Sequence, residues 1–582
     1  MADVPSDDSA SGSGSPTKKN TDYSSKEQHK LDELNDGIDF LSKRLSRRQA
    51  ISTGAVAAAA VVGGLVIGGA AGYLLKPSTA ATTTATVTST IPGPTVTQTI
   101  TSTPNVSTTL SSIISSSSSI ATGGPGIDYY YDPSLKGLTV NYVAGAAVEH
   151  TIVDPFFAQF TKETGITVNE NLTTACVGTI GGTMFAASSN EYDVLDAGAL
   201  AGVAYGWWKS NYIVPWANFF DITPSGWNQG DILPVLQATC STYPSDNPSN
   251  ALLCLPLNLA INCMYYNVAD WSAAGMATPL PGTVQLNGSV TPGKPLTFDE
   301  IMPTLTKIQA SGKSAYFVED FNWFGNLAYG QTTGPWLYGK NWLTSDFTSN
   351  FTDPNVTDGW NLWLELSQKF TPDPINMSDM EIGADGQAGQ LSSGQWTYNA
   401  FPGIFGSGSK VAPDTFPACL PPAVNNSATF MAGQCPVINA FSSAQQQKAA
   451  WSLCSFITSP RMQAVFNSMG TTGYRKSIIS SPAAATAANG NYSLQWSLAA
   501  GATLLNGGVL GSGNAGSNNV YAGEPLPRNG QAFTIATTIG TELAKVQAGN
   551  ETMATAMSNL DTSVDALLKQ AGVYGTKYPL GT

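Results

Sequence analysis

Several polar and aromatic side chains follow a short apolar run in the segment AYFVEDFNWFGNL, residues 315–327. Glu319 and Asp320 supply carboxylate acceptors. Asn322 supplies an amide and Trp323 an indole. A ring that carries many hydroxyl groups also presents C–H faces, so its binding site combines an aromatic platform with carboxylates and amides. We therefore predict a ligand-binding loop at the end of a strand here, the alternative being a solvated acidic loop around one buried Trp.

Paired carboxylates also suggest hydrolysis of a glycosidic bond, which needs two acidic groups. Glu319 and Asp320 are consecutive, however, and consecutive residues of a strand point to opposite faces. The chain has no Gly-x-Ser-x-Gly motif, and its histidines, His29 and His150, leave almost no base for a Ser-His or Cys-His mechanism. We predict no catalytic residues and no enzymatic activity.

Seven cysteines follow the apolar N-terminal segment. No CxxC pair occurs and no histidine follows His150, so the spacing predicts no metal site and no cofactor. Cys240 with Cys254, and Cys419 with Cys435, are close in sequence around loops rich in Pro and Ser. We predict these two pairs as disulfides, since such bonds persist outside the cytoplasm.

The overall composition excludes one class of partner. Only 11% of the 582 residues are charged, and the formal net charge is −14. A cationic surface that would hold nucleic acid by counterion release is therefore not expected. The length also exceeds one compact core, so we expect an anchor, a stalk and a body of two lobes.

The N-terminal region resembles a membrane anchor. Residues 50–76 contain no charge before Lys76, and the run is long enough to span a bilayer. Four basic residues precede it closely, which places residues 1–49 in the cytoplasm and the rest outside. Arg47 and Arg48 also resemble a twin-arginine export signal. A retained anchor and a cleaved signal both remain open, and the length of the run favours the anchor.

Residues 77–124 are rich in Ser and Thr and carry no charge. Such a segment cannot bury enough apolar surface to offset chain entropy, so we predict a disordered stalk between the membrane and the body. Sequons such as that at Asn105 permit glycosylation.

The body opens with alternating strand and helix patterns. Residues 137–146 form an apolar run rich in β-branched residues, and in residues 153–165 Phe recurs at helical spacing before Gly165. Two further strand patterns follow, ITVNENL and EYDVLDAG. The alternation predicts an α/β sheet, where ligands bind beyond the carboxyl ends of the strands. The loop after Val194 and Leu195 is thus a candidate ligand edge.

The passage LPLNLAINCMYYNVADWSAAGM, residues 255–276, resembles the extracellular solute-binding proteins of ABC importers, the cluster that includes the maltose-binding proteins. In that family an apolar strand with an early Pro ends in a Tyr-Asn pair and leads into a helix with Ala-Gly near its end. The matching residues here are Pro256, Tyr266, Asn267, Ala274 and Gly275.

Looser resemblance extends over residues 137–575. LTFDEIMPTLTKIQ is similar to the family's Thr-x-x-Glu helix start, in which Thr297 and Glu300 can form a capping box. PFFAQFTKETGITV resembles the first helix and QKAAWSLCSFITSPRMQAVF a later one. PLPRNGQ and MSNLDTSVDALLKQAG are similar to the family's ending.

The resemblance implies an α/β fold that is periplasmic-binding-protein-like type II, with two α/β lobes joined by hinge strands. Lobe 1 would comprise residues 137–258 and 431–470, and lobe 2 residues 259–430. Residues 471–582 would form C-terminal helices, mainly on lobe 2. The implied partners are a sugar ligand and ABC permease subunits with a cytoplasmic ATPase. The implied location is the cell surface, held at the membrane by the N-terminal helix.

Site residues also follow from the resemblance. In the sugar-binding members a stretch similar to AYFVEDFNW supplies an acidic residue and an aromatic, which implies roles for Glu319 and Trp323. Asn399 and Phe401 lie where the family has Asn-Gly-Pro-Trp, so Phe401 would replace the Trp. The full predicted set adds neighbours of these residues and three positions of lobe 1: Asp196, Gly198, Asn258, Glu319, Asp320, Trp323, Asn399 and Phe401. Trp207 and Trp216, in contrast, are predicted to pack a helix on the sheet.

Other ligands and roles remain open at this point. Polyamine, iron, thiamine and phosphate binders are built on similar lobes. Residues 143–147, VAGAA, lack the acidic-basic pair of some maltose-binding members, so the identity of the sugar is open. A structural or adhesive surface protein is disfavoured because the body shows no obvious short repeats.

Overall fold

The structure is a computed structural model. It describes residues 83–89, 96–102, 123–145, 150, 153–173, 176–197, 201–242, 251–283, 291–318, 334–338, 340–371, 391–397, 415–425, 427–468, 473–479, 520–523 and 531–576.

Twelve strands occur among these residues. In chain order they are β1 (Thr83–Ser89), β2 (Val96–Ser102), β3 (Thr139–Gly145), β4 (Thr167–Thr173), β5 (Val194–Asp196), β6 (Ile213–Val214), β7 (Ala260–Tyr266), β8 (Ser393–Thr397), β9 (Ala418–Cys419), β10 (Ser427–Ala432), β11 (Pro436–Asn439) and β12 (Val520–Gly523).

The α-helices of the described residues connect and flank these strands. They are α1 (Phe157–Thr164), α2 (Gly182–Ala186), α3 (Ala201–Lys209), α4 (Pro234–Thr239), α5 (Val268–Ala273), α6 (Phe298–Ala310), α7 (Pro354–Phe370), α8 (Ala444–Ile457), α9 (Pro460–Ser468), α10 (Lys476–Ile479), α11 (Ala532–Gln547) and α12 (Met553–Gln570).

The first large sheet has the order β4-β3-β5-β11-β6. Strands β3, β4 and β5 run parallel, and β11 is antiparallel to β5 and β6. The predicted strand-helix-strand start is confirmed: α1 connects β3 and β4, and Gly165 ends it with a φ of 74° that favours glycine. Trp216 is fully buried, with its ring edge-on to Trp451 at 5.2 Å, so the prediction that it packs in the core is confirmed.

The second large sheet has the order β12-β10-β7-β8, with β9 also paired to β7. Strand β7 is antiparallel to β8, β9 and β10. The capping box predicted beside this sheet is confirmed: the Thr297 hydroxyl accepts from the Glu300 amide, and Glu300 accepts from the Thr297 amide. Helix α6 then continues through Pro303.

Two of the described segments cross between the sheets. Residues 251–259 lead from the first sheet into β7, and residues 433–435 lead from β10 back into β11. The segments are joined where the Leu257 amide donates to the Gln434 carbonyl at 2.8 Å. A Cβ added to Gly433 would lie 2.3 Å from the Asn258 carbonyl oxygen, so the two backbones pass each other with no room for a side chain.

The structure shows neither of the two predicted disulfides. All seven cysteines lie among the described residues as buried thiols, and no disulfide joins them. Cys419 is in β9 of the second sheet, whereas Cys435 lies at the start of β11 in the first. Strand β10 carries the chain between the two sheets, so closeness in sequence does not bring this pair together. Cys254, in contrast, lies near both Cys240 and Cys435.

The described residues cover only part of the N-terminal region for which predictions were made. The segment predicted as a disordered stalk contains β1 and β2, which pair antiparallel from Thr83 opposite Ser102 to Ser89 opposite Val96. Alternating Thr, Val and Ile favour strands. The prediction of disorder relied instead on the low apolar content of the segment. No helix of the described residues could span a bilayer. The predicted span at residues 50–76 lies outside the described ranges.

The close approach of the crossing segments gives a prediction. Gly433→Ala should lower the free energy of unfolding by about 1–3 kcal/mol, because the added methyl group must push two backbones apart. Gly182→Ala is the matched control, since nothing lies within 4 Å of a Cβ at that helical position. Urea unfolding measures both. Equal stability of the two variants would show that the crossing segments can move apart freely.

Candidate functional site

The candidate site lies at the carboxyl ends of the parallel strands of the first sheet, where open α/β sheets bind ligands. Five side chains meet there: Tyr142, His150, Asp154, Glu170 and Asp196. We call this group the edge cluster. Tyr142 on β3 is paired with Glu170 on β4, and Asp196 is the last residue of β5. The parallel register thus brings together residues that are far apart in sequence.

Asp196 is the centre of the edge cluster and is fully buried. Its Oδ1 accepts from the Tyr142 hydroxyl at 2.7 Å, and its Oδ2 accepts from the Gly145 amide at 2.9 Å. The His150 Nε2 donates to the same Oδ2 at 2.9 Å. A buried carboxylate is stable only with such partners, so Asp196 fixes the end of β3 and the orientation of His150.

His150 is a buried cation between carboxylates. Its Nδ1 lies 3.0 Å from Glu170 Oε1 and 3.7 Å from Asp154 Oδ1. Burial alone lowers the pKa of His150, but the charge of Asp196, the hydrogen bonds to Asp196 and Glu170 and the nearby carboxylate of Asp154 raise it to about 12. Both ring nitrogens therefore carry protons at neutral pH.

Glu170 and Asp154 form the exposed side of the edge cluster, with side chains 12% and 30% exposed. Burial raises the pKa of Glu170; the hydrogen bond from His150 opposes this effect, and the charge of Asp154 adds to it. They are the most exposed carboxylate side chains of the cluster. They suit hydrogen bonds from the hydroxyl groups of a neutral ligand.

The same group has donor atoms close enough for a metal ion, since those of His150, Asp154 and Glu170 lie within 4.8 Å of one another. In the structure, however, the two ring nitrogens of His150 lie 3.0 Å from Glu170 Oε1 and 2.9 Å from Asp196 Oδ2. The group as it stands is an ion-pair network.

The crossing segments meet the edge cluster. The Ala197 amide, directly after Asp196, donates to the Cys435 carbonyl at 2.8 Å. A Cβ on Gly145 would lie 3.1 Å from the side-chain oxygen of Gln434. A shift of one crossing segment is thus passed to the ends of β3 and β5 through direct contacts.

The structure places two of the eight predicted ligand residues. Asp196 is in the edge cluster, and Asn258 is buried on the crossing segment whose backbone contacts Gly433. Both therefore lie where the crossing segments meet the first sheet. Their contact with a ligand remains a prediction. The other six lie outside the described residues: Gly198, Glu319, Asp320, Trp323, Asn399 and Phe401.

Sequence reasoning missed His150, Asp154, Glu170 and Tyr142. It looked for an acidic-basic pair directly after β3, within residues 143–147, and found none. The basic group comes instead from His150, a few residues later, and the acidic group from the neighbouring strand. Two signals were available: His150 is the one histidine beyond residue 29, and Glu170 lies in a strand-like polar run.

The raised pKa of His150 predicts how stability depends on pH. Below about pH 6.5 the folded and unfolded states both hold the proton, and the full contribution of protonated His150 to the free energy of unfolding is present. Above it only the folded state does, so the free energy of unfolding should fall by up to about 1.4 kcal/mol per pH unit. His150→Gln should reduce this slope between about pH 6.5 and pH 8, where His is the side chain that ordinarily titrates.

His29→Gln is the matched control, because His29 is the other histidine of the chain and lies far from His150 in the sequence. Chemical denaturation at a series of pH values gives the slopes. If the slopes of the parent and His150→Gln are the same, His150 is not protonated in the folded state.

Solved structures share this fold. T. maritima MalE3 with bound maltose aligns with a TM-score of 0.57 and 17% identity, over 74% of this chain and 100% of that one. A solute-binding protein of an Agrobacterium radiobacter ABC transporter, in complex with ribitol, gives 0.60 and 17%, over 74% and 99%. One from Agrobacterium vitis with bound D-mannitol gives 0.59 and 17%, over 75% and 99%. At these identities the likeness establishes the periplasmic-binding-protein-like α/β fold.

No curated protein matches the sequence. A family model described as bacterial extracellular solute-binding protein matches residues 156–491, which is more than half of the 582 residues. The matched range includes β4, both crossing segments and most of the second sheet. The chain therefore belongs to the family of bacterial extracellular solute-binding proteins.

Proposed function

We propose that the chain is the extracytoplasmic substrate-binding subunit of an ABC importer and captures a neutral sugar or polyol. The observation that carries the proposal is the polar edge cluster at the point where two crossing segments join two α/β sheets. That arrangement allows the two halves to close on a ligand by a hinge motion in a few residues.

The ligand class is supported by the chemistry of the edge cluster. Glu170 and Asp154 offer partly exposed oxygens, while the charge of His150 offsets part of their negative charge. Hydroxyl groups donate to such acceptors without bringing a charge of their own. The structures with bound maltose, ribitol and D-mannitol are those of proteins with this fold, and each of these ligands carries many hydroxyl groups.

We assign Glu319, Asp320 and Trp323 to the part of the site that the second lobe contributes, as the family resemblance implies. Trp323 stacks on a ring face, and the carboxylates accept from hydroxyl groups. Asn399 and Phe401 add an amide and a second aromatic surface. Gly198 lets the backbone after β5 approach the ligand, and Asp196 and Asn258 hold the opposing edge. No group in this set is assigned a chemical step, and the ligand leaves unchanged.

The N-terminal segment adds a membrane anchor to the proposal. Residues 50–76 hold the body at the outer face of the membrane through the Ser/Thr-rich segment. There the body delivers its ligand to the permease subunits and their cytoplasmic ATPase.

The chain should fractionate with membranes, and deletion of residues 1–76 should release it, because the uncharged run supplies the insertion energy. A soluble mature form that begins after residue 76 would show that export cleavage removes the segment.

Binding and closure test the function. With residues 125–582, a panel of sugars and polyols should raise the melting temperature, because a ligand that binds the folded state stabilises it by mass action. The best of them should also decrease the radius of gyration in small-angle scattering. Polyamines, phosphate and ferric iron are the comparison ligands. Greater stabilisation by any of these, or binding without contraction, would contradict the proposal.

The site assignment has its own prediction. Trp323→Ala should weaken sugar binding by roughly 2- to 12-fold, the loss expected for one stacking contact, and should leave the ligand-free melting temperature nearly unchanged. Glu319→Gln should also weaken binding, since it removes a charged acceptor. Calorimetric titration measures both.

Trp216→Ala provides the matched control. This Trp is fully buried against Trp451, so its removal should cost about 3–5 kcal/mol of stability and leave the affinity of the folded fraction intact. If Trp323→Ala unfolds the protein, or binds as tightly as the parent, Trp323 is not in the site.

A further inference from the structure

Three buried thiols meet beside the crossing segments. The sulfur atoms of Cys240, Cys254 and Cys435 all lie within 4.8 Å of one another. Each of the three residues is at most 3% exposed, and all belong to the hydrophobic core. We call this group the thiol trio. The proposed function uses none of these thiols.

The trio is assembled from three separate segments whose backbones are fixed. Cys240 caps α4, and its carbonyl accepts from the Leu253 amide at 2.9 Å, one residue before Cys254. The Cys435 carbonyl accepts from the Ala197 amide at 2.8 Å. Two of the sulfur atoms therefore lie on the two crossing segments, and the third lies on a neighbouring helix end. Fixed backbones hold the thiols in place without a metal.

The spacing of the trio suits one metal ion. An ion with three equatorial sulfur ligands at about 2.3 Å, the usual zinc–thiolate length, separates those sulfurs by roughly 4 Å. The sulfur–sulfur distances in the trio are at most 4.8 Å, which exceeds this spacing by less than an ångström. Small rotations of the side chains are therefore enough to reach it. Of the described residues, no histidine or carboxylate belongs to the group. Three soft donors without a fourth ligand favour a thiophilic ion over zinc, whose structural sites are four-coordinate.

We propose that Cys240, Cys254 and Cys435 form a trigonal binding site for a monovalent thiophilic cation of the Cu⁺ type at the junction of the crossing segments. Binding replaces thiol protons by the cation, with the protons released to solvent and no change in oxidation state. The bound ion links both crossing segments to the end of α4. The site uses none of the residues assigned to the sugar site.

The affinity of the trio for the cation depends on pH. Because a cysteine binds a metal ion as the thiolate, each proton that the cation displaces makes binding tighter as pH rises.

The test uses the full chain, reduced and kept free of oxygen, with Cu⁺ as the probe and a chromophoric Cu⁺ chelator as competitor. We expect one Cu⁺ per chain, a sulfur-only first shell of three neighbours by X-ray absorption, and affinity that increases with pH. Binding should also raise the melting temperature. Zn²⁺ that displaces Cu⁺, or nitrogen or oxygen in the first shell, would overturn the proposal.

Variants assign the site. Cys254→Ser and Cys240→Ser should each lower Cu⁺ affinity by more than the roughly 10–100-fold that loss of an outer-shell partner costs. Cys263→Ser is the matched control, because this thiol is equally buried but lies in the second sheet, and it should bind as the parent does. Circular dichroism checks that each variant is folded, and two trio variants are used in case one is not.

The competing fate of the trio is oxidation. Mass spectrometry of the protein as purified shows whether two of the three thiols form a disulfide. If they do, and if the protein does not bind Cu⁺ after reduction and refolding, the proposal is overturned. Cu⁺ binding that survives in both trio variants, or that is lost in Cys263→Ser, would overturn it as well.

Discussion

The close backbone contact between the two crossing segments is the constraint on which the rest of the structure depends. Gly433 passes against the Asn258 carbonyl with no room for a Cβ, and the Leu257 amide donates to the Gln434 carbonyl beside it. This contact fixes where β7 enters the second sheet and where β11 returns to the first. Among the described residues this junction positions the two large sheets, and a small change there moves one sheet relative to the other.

The polar groups next to this junction are buried in compensating sets. Asp196 would be costly alone, but it accepts from Tyr142, Gly145 and His150, and the charge of His150 is shared with Glu170. A network of this kind holds its members in one geometry, which a binding site requires before the ligand arrives. The partly exposed carboxylates at its rim keep acceptor capacity for solvent or ligand. Rigidity at the centre and acceptors at the rim are thus two results of one arrangement.

Local patterns predicted local structure well. The Phe spacing before Gly165 gave α1 and its end, and Thr297 with Glu300 gave the start of α6, because both features depend on residues within one or two turns. The position of Asp196 at the end of β5 was also predictable, since parallel strands present their carboxyl ends together. The edge cluster itself was only partly predicted: Asp196 was chosen from its place after a strand, while His150 and Glu170 were not. The strands β1 and β2 were missed because low apolar content was given more weight than β-branched alternation.

The sequence by itself determined the class of the chain: an apolar N-terminal run, a polar linker and an α/β body with the ordered motifs of a solute-binding family. It determined these because each is written in composition or in contacts between near neighbours. Only the tertiary structure decided which distant residues meet. Cys435 is 16 residues from Cys419, yet lies beside Cys254, because β10 carries the chain from one sheet to the other between the two. Likewise His150 pairs with Asp196 through strand order, a property of packing between segments that no local spacing encodes.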